Sequence, residues 1–335
     1  MTQKFEVKSC GKIYIAGEYA VVNGGKAIIA PIKKYIRIIY EESNTYKLKS
    51  HKYHDNFIDL DLSTDVIELK PIIKTINIMN QYLLETGIID KKLKLEILSE
   101  LDNENNKKFG FGSSSSIIIA IIRVYNQFYN LGLSKLQIYK LAVIIQLSIS
   151  KYSSFGDIAC IVYEKVIYYQ KFNDIINLSD SLIININKDW NGLVIEPLNI
   201  DFDFLLVYTN EEANSFELVR RVNELINEPF YNAFFRRSEI LVNQIKEKSK
   251  SLIDLINNLN TNLKILDFGL YGALMTKNMY LIEDIVNKFE GGFKFTGSGG
   301  GDCVICIFPN EEKKSLGKEK LKELGYKVID YIWRE

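Results

Sequence analysis

Residues 107–129 read KKFGFGSSSSIIIAIIRVYNQFY, two glycines and four consecutive serines running straight into a strongly apolar segment. Glycines let a backbone approach an anion closely, and serine hydroxyls add donors or a ligand for Mg2+. The free N–H groups at a helix start carry partial positive charge. Such a stretch can cradle a phosphate without the GKS or GKT ending of a P-loop. A Gly/Ser loop that merely caps a core helix would use the same residues. Two further stretches weigh on the choice: GKIYIAGEYAVV (11–22), with Lys12 directly after a glycine, and the glycine-dense TGSGGGDCVI (296–305). One glycine loop says little; three separated elements in this order favour phosphate chemistry.

Other chemistries find few residues. The only histidines are His51 and His54, in the polar stretch KSHKYHDNF that reads as a solvated hairpin. A Ser-His-Asp triad or a histidine-rich metal centre is therefore not expected. Cys10, Cys160, Cys303 and Cys306 are too scattered for a disulfide scaffold. The CxxC at 303–306 lies in an apolar strand and reads as reduced core thiols rather than a zinc or redox site. Lys+Arg and Asp+Glu are both 42 in 335 residues, so no polyanion footprint exists and no nucleic-acid partner is expected. The longest apolar run, IIIAII, falls far short of the roughly 20 residues that span a bilayer. No membrane association and a cytoplasmic location are the expectations.

The elements that must position these stretches follow from periodicity. Short strand-like runs fill residues 5–62, with NGG at 23–25 as a tight turn. VIELKPIIKTINIMNQYLLETG has helical spacing, and KKLKLEILSEL alternates like a strand. A helix is expected over about 115–130, a second from an N-cap at Ser134, then a loop ISKYSSFGD. A new cycle opens at NIDFDFLLVYTN, followed by three helical stretches, the strand pair around TGSGGG and a helix–strand tail. These patterns predict a mixed α/β (α+β) chain with a boundary near residues 190–200, giving two domains, 1–195 and 196–335.

The three stretches together, in this order and over nearly the whole chain, resemble the GHMP kinase superfamily, ATP-dependent small-molecule kinases. GEY in place of GEH, GSGGGDC and SFGDIACIVY (154–163) are most similar to the phosphomevalonate kinases within it. The resemblance implies an N-terminal ribosomal-protein-like domain and a C-terminal ferredoxin-like split-βαβ domain. It implies that Gly110, Phe111, Gly112, Ser113, Ser114 and Ser115 hold the ATP phosphates, with Ser114 as the Mg2+ ligand. Lys12 and Asp157 are the implied catalytic pair. Glu18, Tyr19, Ser154, Gly156, Ser298, Gly299 and Gly300 are implied on the substrate side. The implied reaction is phosphorylation of 5-phosphomevalonate to 5-diphosphomevalonate in isoprenoid precursor synthesis, by a monomer or homodimer. Mevalonate kinase or another GHMP kinase is the competing reading, and a silent nucleotide or metabolite sensor the remote one.

The chain departs from the family pattern in places. Gln146 stands eleven residues before Asp157, where many members carry a metal-binding glutamate. YTNEEANSFELV (208–219) keeps Thr209, Ala213 and Ser215 of the phosphomevalonate kinase wording but brings Glu211 and Glu212 near an anionic substrate. Lys33, Lys34, Lys151, Arg220 and Arg221 are the candidate partners of the substrate's own phosphate. Arg236 and Arg237 are expected to pair with nearby acids, and Asp302 to brace the third loop.

Overall fold

The computed structural model describes residues 4–50, 54–102, 109–150 and 153–334. Strands β1 (Phe5–Ala16), β2 (Lys26–Ser43), β3 (Lys47–Ser50), β4 (His54–Asp59), β5 (Lys92–Ser99), β6 (Ile167–Gln170) and β7 (Val194–Pro197) form the first sheet. Its order is β4-β3-β5-β2-β6-β7, with β1 also paired along β2. Between β1 and β2 the chain makes a single 3-10 turn, Ala20–Asn23, and Gly24 takes φ 87°. The reversal is thus longer than the tight NGG turn expected, because the GEY residues first leave the sheet.

Of helices α1 (Lys70–Glu85), α2 (Ser113–Phe128), α3 (Lys135–Ile149), α4 (Gly156–Tyr163) and α5 (Leu182–Asn187), α2 and α4 pack directly on this sheet, while α1 packs on α2, α3 on α2 and α4, and α5 on α1 and α3. Helix α2 is buried almost all round, Ile118 to Ile122 with Val124 and Tyr125, as suits a helix enclosed by α1, α3, α4, β1 and β2. Its start, two residues earlier than expected, therefore abuts strand backbone. Ser134 does cap α3: its Oγ accepts from Gln137 N, and the Gln137 side chain accepts from Ser134 N at 2.9 Å.

The second sheet holds β8 (Phe202–Tyr208), β9 (Gly292–Phe295), β10 (Cys303–Ile307) and β11 (Lys327–Trp333) in the order β11-β8-β10-β9, antiparallel throughout. Helices α6 (Ser215–Asn223), α7 (Pro229–Lys246), α8 (Leu252–Gly269) and α9 (Lys277–Lys288) stand between β8 and β9, and α10 (Glu311–Glu323) between β10 and β11. This is the ferredoxin-like arrangement expected. Helix α9 buries only Met279, Ile282, Ile285 and Val286, a stripe too brief for periodicity to single out.

The second sheet is covered on both faces, which is why β8 and β10 read as continuous apolar runs. Phe202, Phe204 and Leu206 join the large core shared with the first sheet, while Leu205 and Val207 join a second core with α8 and α9. The same alternation puts Cys303 in one core and Cys306 in the other. The two thiols of the CxxC face away from each other, and burial pushes both above the usual thiol range. No described helix is long and apolar enough to cross a membrane.

Candidate active site

A cleft of about 410 Å3 gathers residues from all three Gly/Ser stretches: Lys12, Tyr14, Glu18 and Tyr19, then Ser114, then Gly297 and Ser298. Val21 and Val22 after the GEY residues, Gln146 and Ser150 near the end of α3, Ser153, Ser154 and Asp157 at the start of α4, and Ser215, Phe216 and Val219 of α6 complete its walls.

The loop before α2 is locked to β1. Lys12 N donates to the Phe111 carbonyl at 2.9 Å, and Lys12 Nζ to the Gly110 carbonyl at 3.1 Å. Gly112 caps α2 with φ 79°, and a Cβ there would sit 2.9 Å from Lys12 Cε. Left-handed backbone and the lysine stem both require glycine. The Lys12 ammonium also lies 5.3 Å from the Tyr14 ring centroid, on the same face of β1 two residues on.

Helical geometry gives the serines different tasks, since each successive side chain turns by about 100°. Ser114 is exposed and lines the cleft. Ser115 is buried and donates to Asp157 Oδ2 at 2.5 Å, so its hydroxyl holds the aspartate. Ser116 donates to the Cys10 carbonyl and fastens the helix to β1. Asp157 itself stands in the first turn of α4, where the helix dipole favours a carboxylate. Just before it, Ser154 Oγ accepts from Gly156 N at 3.3 Å and shares a hydrogen bond of 2.7 Å with the Tyr14 hydroxyl. Burial pushes the Tyr14 phenol well above its usual range, and the Asp157 carboxylate adds to that.

The far wall is a seam between the halves of the chain. Glu18 forms an ion pair with Lys294 whose side chains are 2% and 0% exposed. Burial lowers Lys294, and the Glu18 carboxylate opposes that shift. Thr296 Oγ1 accepts from Tyr14 N and donates to Tyr14 O, both at 2.9 Å, and the Tyr19 hydroxyl donates to the Ser298 carbonyl. Lys294, Thr296 and Ser298 are alternate residues, a period-two signal that sequence reading did not use. Ser298 Oγ continues to Ser215 Oγ at 2.8 Å. Gly299 and Gly300 are not among the cleft residues; a Cβ on them would meet the Leu274 carbonyl at 2.8 Å and Leu218 Cδ1 at 2.7 Å. Asp302 braces the loop as expected: its carbonyl accepts from Thr209 N at 2.9 Å and its carboxylate from Ala213 N at 3.3 Å.

Comparison with known proteins identifies the family. The family model for the GHMP kinases N terminal domain matches residues 71–165, and that for the GHMP kinases C terminal domain matches residues 242–327. The chain belongs to the GHMP kinases. It is therefore a phosphotransferase. A mevalonate kinase of Methanocaldococcus jannaschii is 26% identical across 95% of this chain and 96% of its own. A phosphomevalonate kinase of Streptomyces sp. is 23% identical across 91% and 90%. The solved structure of Streptococcus pneumoniae phosphomevalonate kinase with phosphomevalonate and AMPPNP is 27% identical, with a TM-score of 0.86 over 98% of this chain and 100% of that one.

The remaining residues fall into place around this kinase cleft. Gln146 lines it together with Ser114 and Asp157. Glu211 and Glu212 do not line it, nor do Lys33, Lys34, Arg220 or Arg221. Arg220 pairs with Glu217 and Glu224 on its own helix, and Arg221 donates to the Leu270 carbonyl at 3.2 Å. Arg237 donates to Asn258 rather than to an acid. Lys151 lies outside the described residues, as does His51. No described cluster of three or more His, Cys, Asp or Glu could hold a metal. Mg2+ in phosphoryl-transfer sites needs only one or two protein oxygens beside the phosphates, and Ser114, Gln146 and Asp157 offer that set.

Proposed function

We propose that this GHMP kinase transfers the γ-phosphoryl group of ATP to 5-phosphomevalonate, giving 5-diphosphomevalonate. The observation that carries the reading is the convergence of Lys12, Asp157 and Ser114 on one cleft that is also rich in hydroxyls. We further assign residues 1–195 as the ATP-binding domain and 196–335 as the domain closing the acceptor side.

In this reading the loop Gly110–Ser115 receives the nucleotide phosphates at the start of α2. Ser114, with Gln146 beside it, would hold Mg2+, which supplies positive charge to the phosphate oxygens. An oxygen of the acceptor phosphate attacks the γ-phosphorus, the bond to the β–γ bridging oxygen breaks, and ADP leaves. Because that oxygen is already ionised near neutral pH, little general-base work is required. The protein's contribution is alignment and charge compensation. Lys12, fixed by the Gly110 carbonyl and the Tyr14 ring, compensates charge on the transferred group. Asp157, held by Ser115, orients the acceptor side.

An anionic acceptor is supported by Ser150, Ser153, Ser154, Ser215 and Ser298, all lining the cleft, with the Ser150 hydroxyl buried and without a partner among the described residues. The likeness to the phosphomevalonate complex points the same way. Mevalonate kinases match at similar identity, which makes mevalonate the second reading. An ADP-release assay with mevalonate, phosphomevalonate, homoserine and galactose separates the two. Turnover with phosphomevalonate is expected; turnover with mevalonate alone would replace the assignment.

A further inference from the structure

Lys171 directly follows β6, and no carboxylate among the described residues pairs with it. Its ammonium donates to the Ser153 carbonyl at 2.9 Å and the Val22 carbonyl at 3.4 Å, and lies 5.1 Å from the Phe155 ring centroid. Two residues earlier, the Tyr169 hydroxyl donates to the next carbonyl, Ser154, at 2.8 Å and is itself bonded to Tyr139 at 2.9 Å. Alternate residues of an extended chain share a side. Tyr169 and Lys171 therefore grip consecutive peptide units of one loop.

That loop carries cleft residues Ser153 and Ser154 and ends at Phe155, which caps α4 with φ 59°. A non-glycine residue in this region is strained and persists only where its surroundings hold it. The Phe155 ring is held by stacking on Phe172 at 5.7 Å and by the Lys171 ammonium. In a trans peptide the N–H points opposite to the C=O. Anchoring the Ser153 carbonyl on the Lys171 side leaves the Ser154 N–H facing the other way. Burial also lowers the Lys171 ammonium from its usual range, consistent with a cation whose partners are carbonyls.

We infer that Lys171 is a positioning residue for the acceptor. It fixes the Ser153–Phe155 loop so that the serines face the cleft, and it places a positive charge behind them that favours an anionic acceptor. This deepens the kinase reading above and rests on it.

The test is steady-state kinetics of the full chain, wild type against Lys171→Met, Lys171→Arg and Tyr169→Phe, with ATP and with whichever acceptor the wild type turns over. Loss of the charge-assisted bond in Lys171→Met should raise the acceptor KM roughly tenfold while the ATP KM moves by less than about twofold. Lys171→Arg should recover most of the loss, and Tyr169→Phe should raise the acceptor KM less. An unchanged acceptor KM, or equal rises in both KM values with a lowered Tm, overturns the inference. Should Lys171→Met fail to fold, Lys171→Gln, which keeps a donor on a shorter stem but removes the charge, decides it by the same two KM values. A wild type that phosphorylates mevalonate alone refutes the substrate assignment separately, and the Lys171 comparison is then made with mevalonate.

Discussion

The Glu18–Lys294 pair offers a demanding test of how the two halves are joined. Both side chains are essentially sealed from water, and 276 residues separate them in sequence. Two unit charges about 4 Å apart attract by roughly 4 kcal/mol at an effective dielectric of 20. Removing one partner loses that attraction and strands the other charge, typically costing about 3–5 kcal/mol. Against a total stability of about 5–15 kcal/mol, such a loss is severe. Lys294→Met and Glu18→Leu should each show it, as a Tm lower by roughly 10 °C at about 2–4 °C per kcal/mol. The double variant Glu18→Leu/Lys294→Met leaves no stranded charge and should recover most of the deficit. Urea and thermal unfolding of the four proteins, read as a double-mutant cycle, give the coupling directly. Single variants within about 1 kcal/mol of wild type, or a double as unstable as the sum of the singles, would refute a buried pair at this seam.

Further outcomes follow from the same geometry. Lys12→Met should lower kcat by about a hundredfold or more while circular dichroism stays unchanged, because the lost charge acts on the transferred group; an unchanged kcat removes Lys12 from the reaction. Gly112→Ala should cost about 1–2 kcal/mol for a left-handed alanine and weaken turnover as well, because its Cβ meets the Lys12 stem; a stability loss with intact kcat would disconnect the loop from Lys12. Burial raises the Glu85 carboxyl, but the Ser181 hydroxyl and the backbone N–H groups of Ile183 and Leu182 outweigh it and hold the group below its usual range. Its folded-state pKa is depressed, so its stabilisation is present above the unfolded value near 4.3 and is lost as pH falls through the folded one. Glu85→Gln should cost about 1 kcal/mol at neutral pH, as for a helix cap, and match wild type in acid; a Tm gap independent of pH contradicts this.

What could be read from the sequence was local. The three Gly/Ser stretches, the Ser134 cap and the alternation in β5 each depend on residue types and spacing a few residues apart. The fold class and the family resemblance follow from those elements and their order. Partner choice was not legible. Nothing local says that Glu18 meets Lys294, that Tyr14 takes Thr296, or that Lys171 holds the Ser153 carbonyl. The GSSSS stretch could be placed at a helix start, but only packing against β1 and α4 decided that Ser114 faces the cleft, Ser115 the aspartate and Ser116 the strand. Such contacts join chain segments tens to hundreds of residues apart, and their register is set by how the two cores close, a property of the assembled tertiary structure.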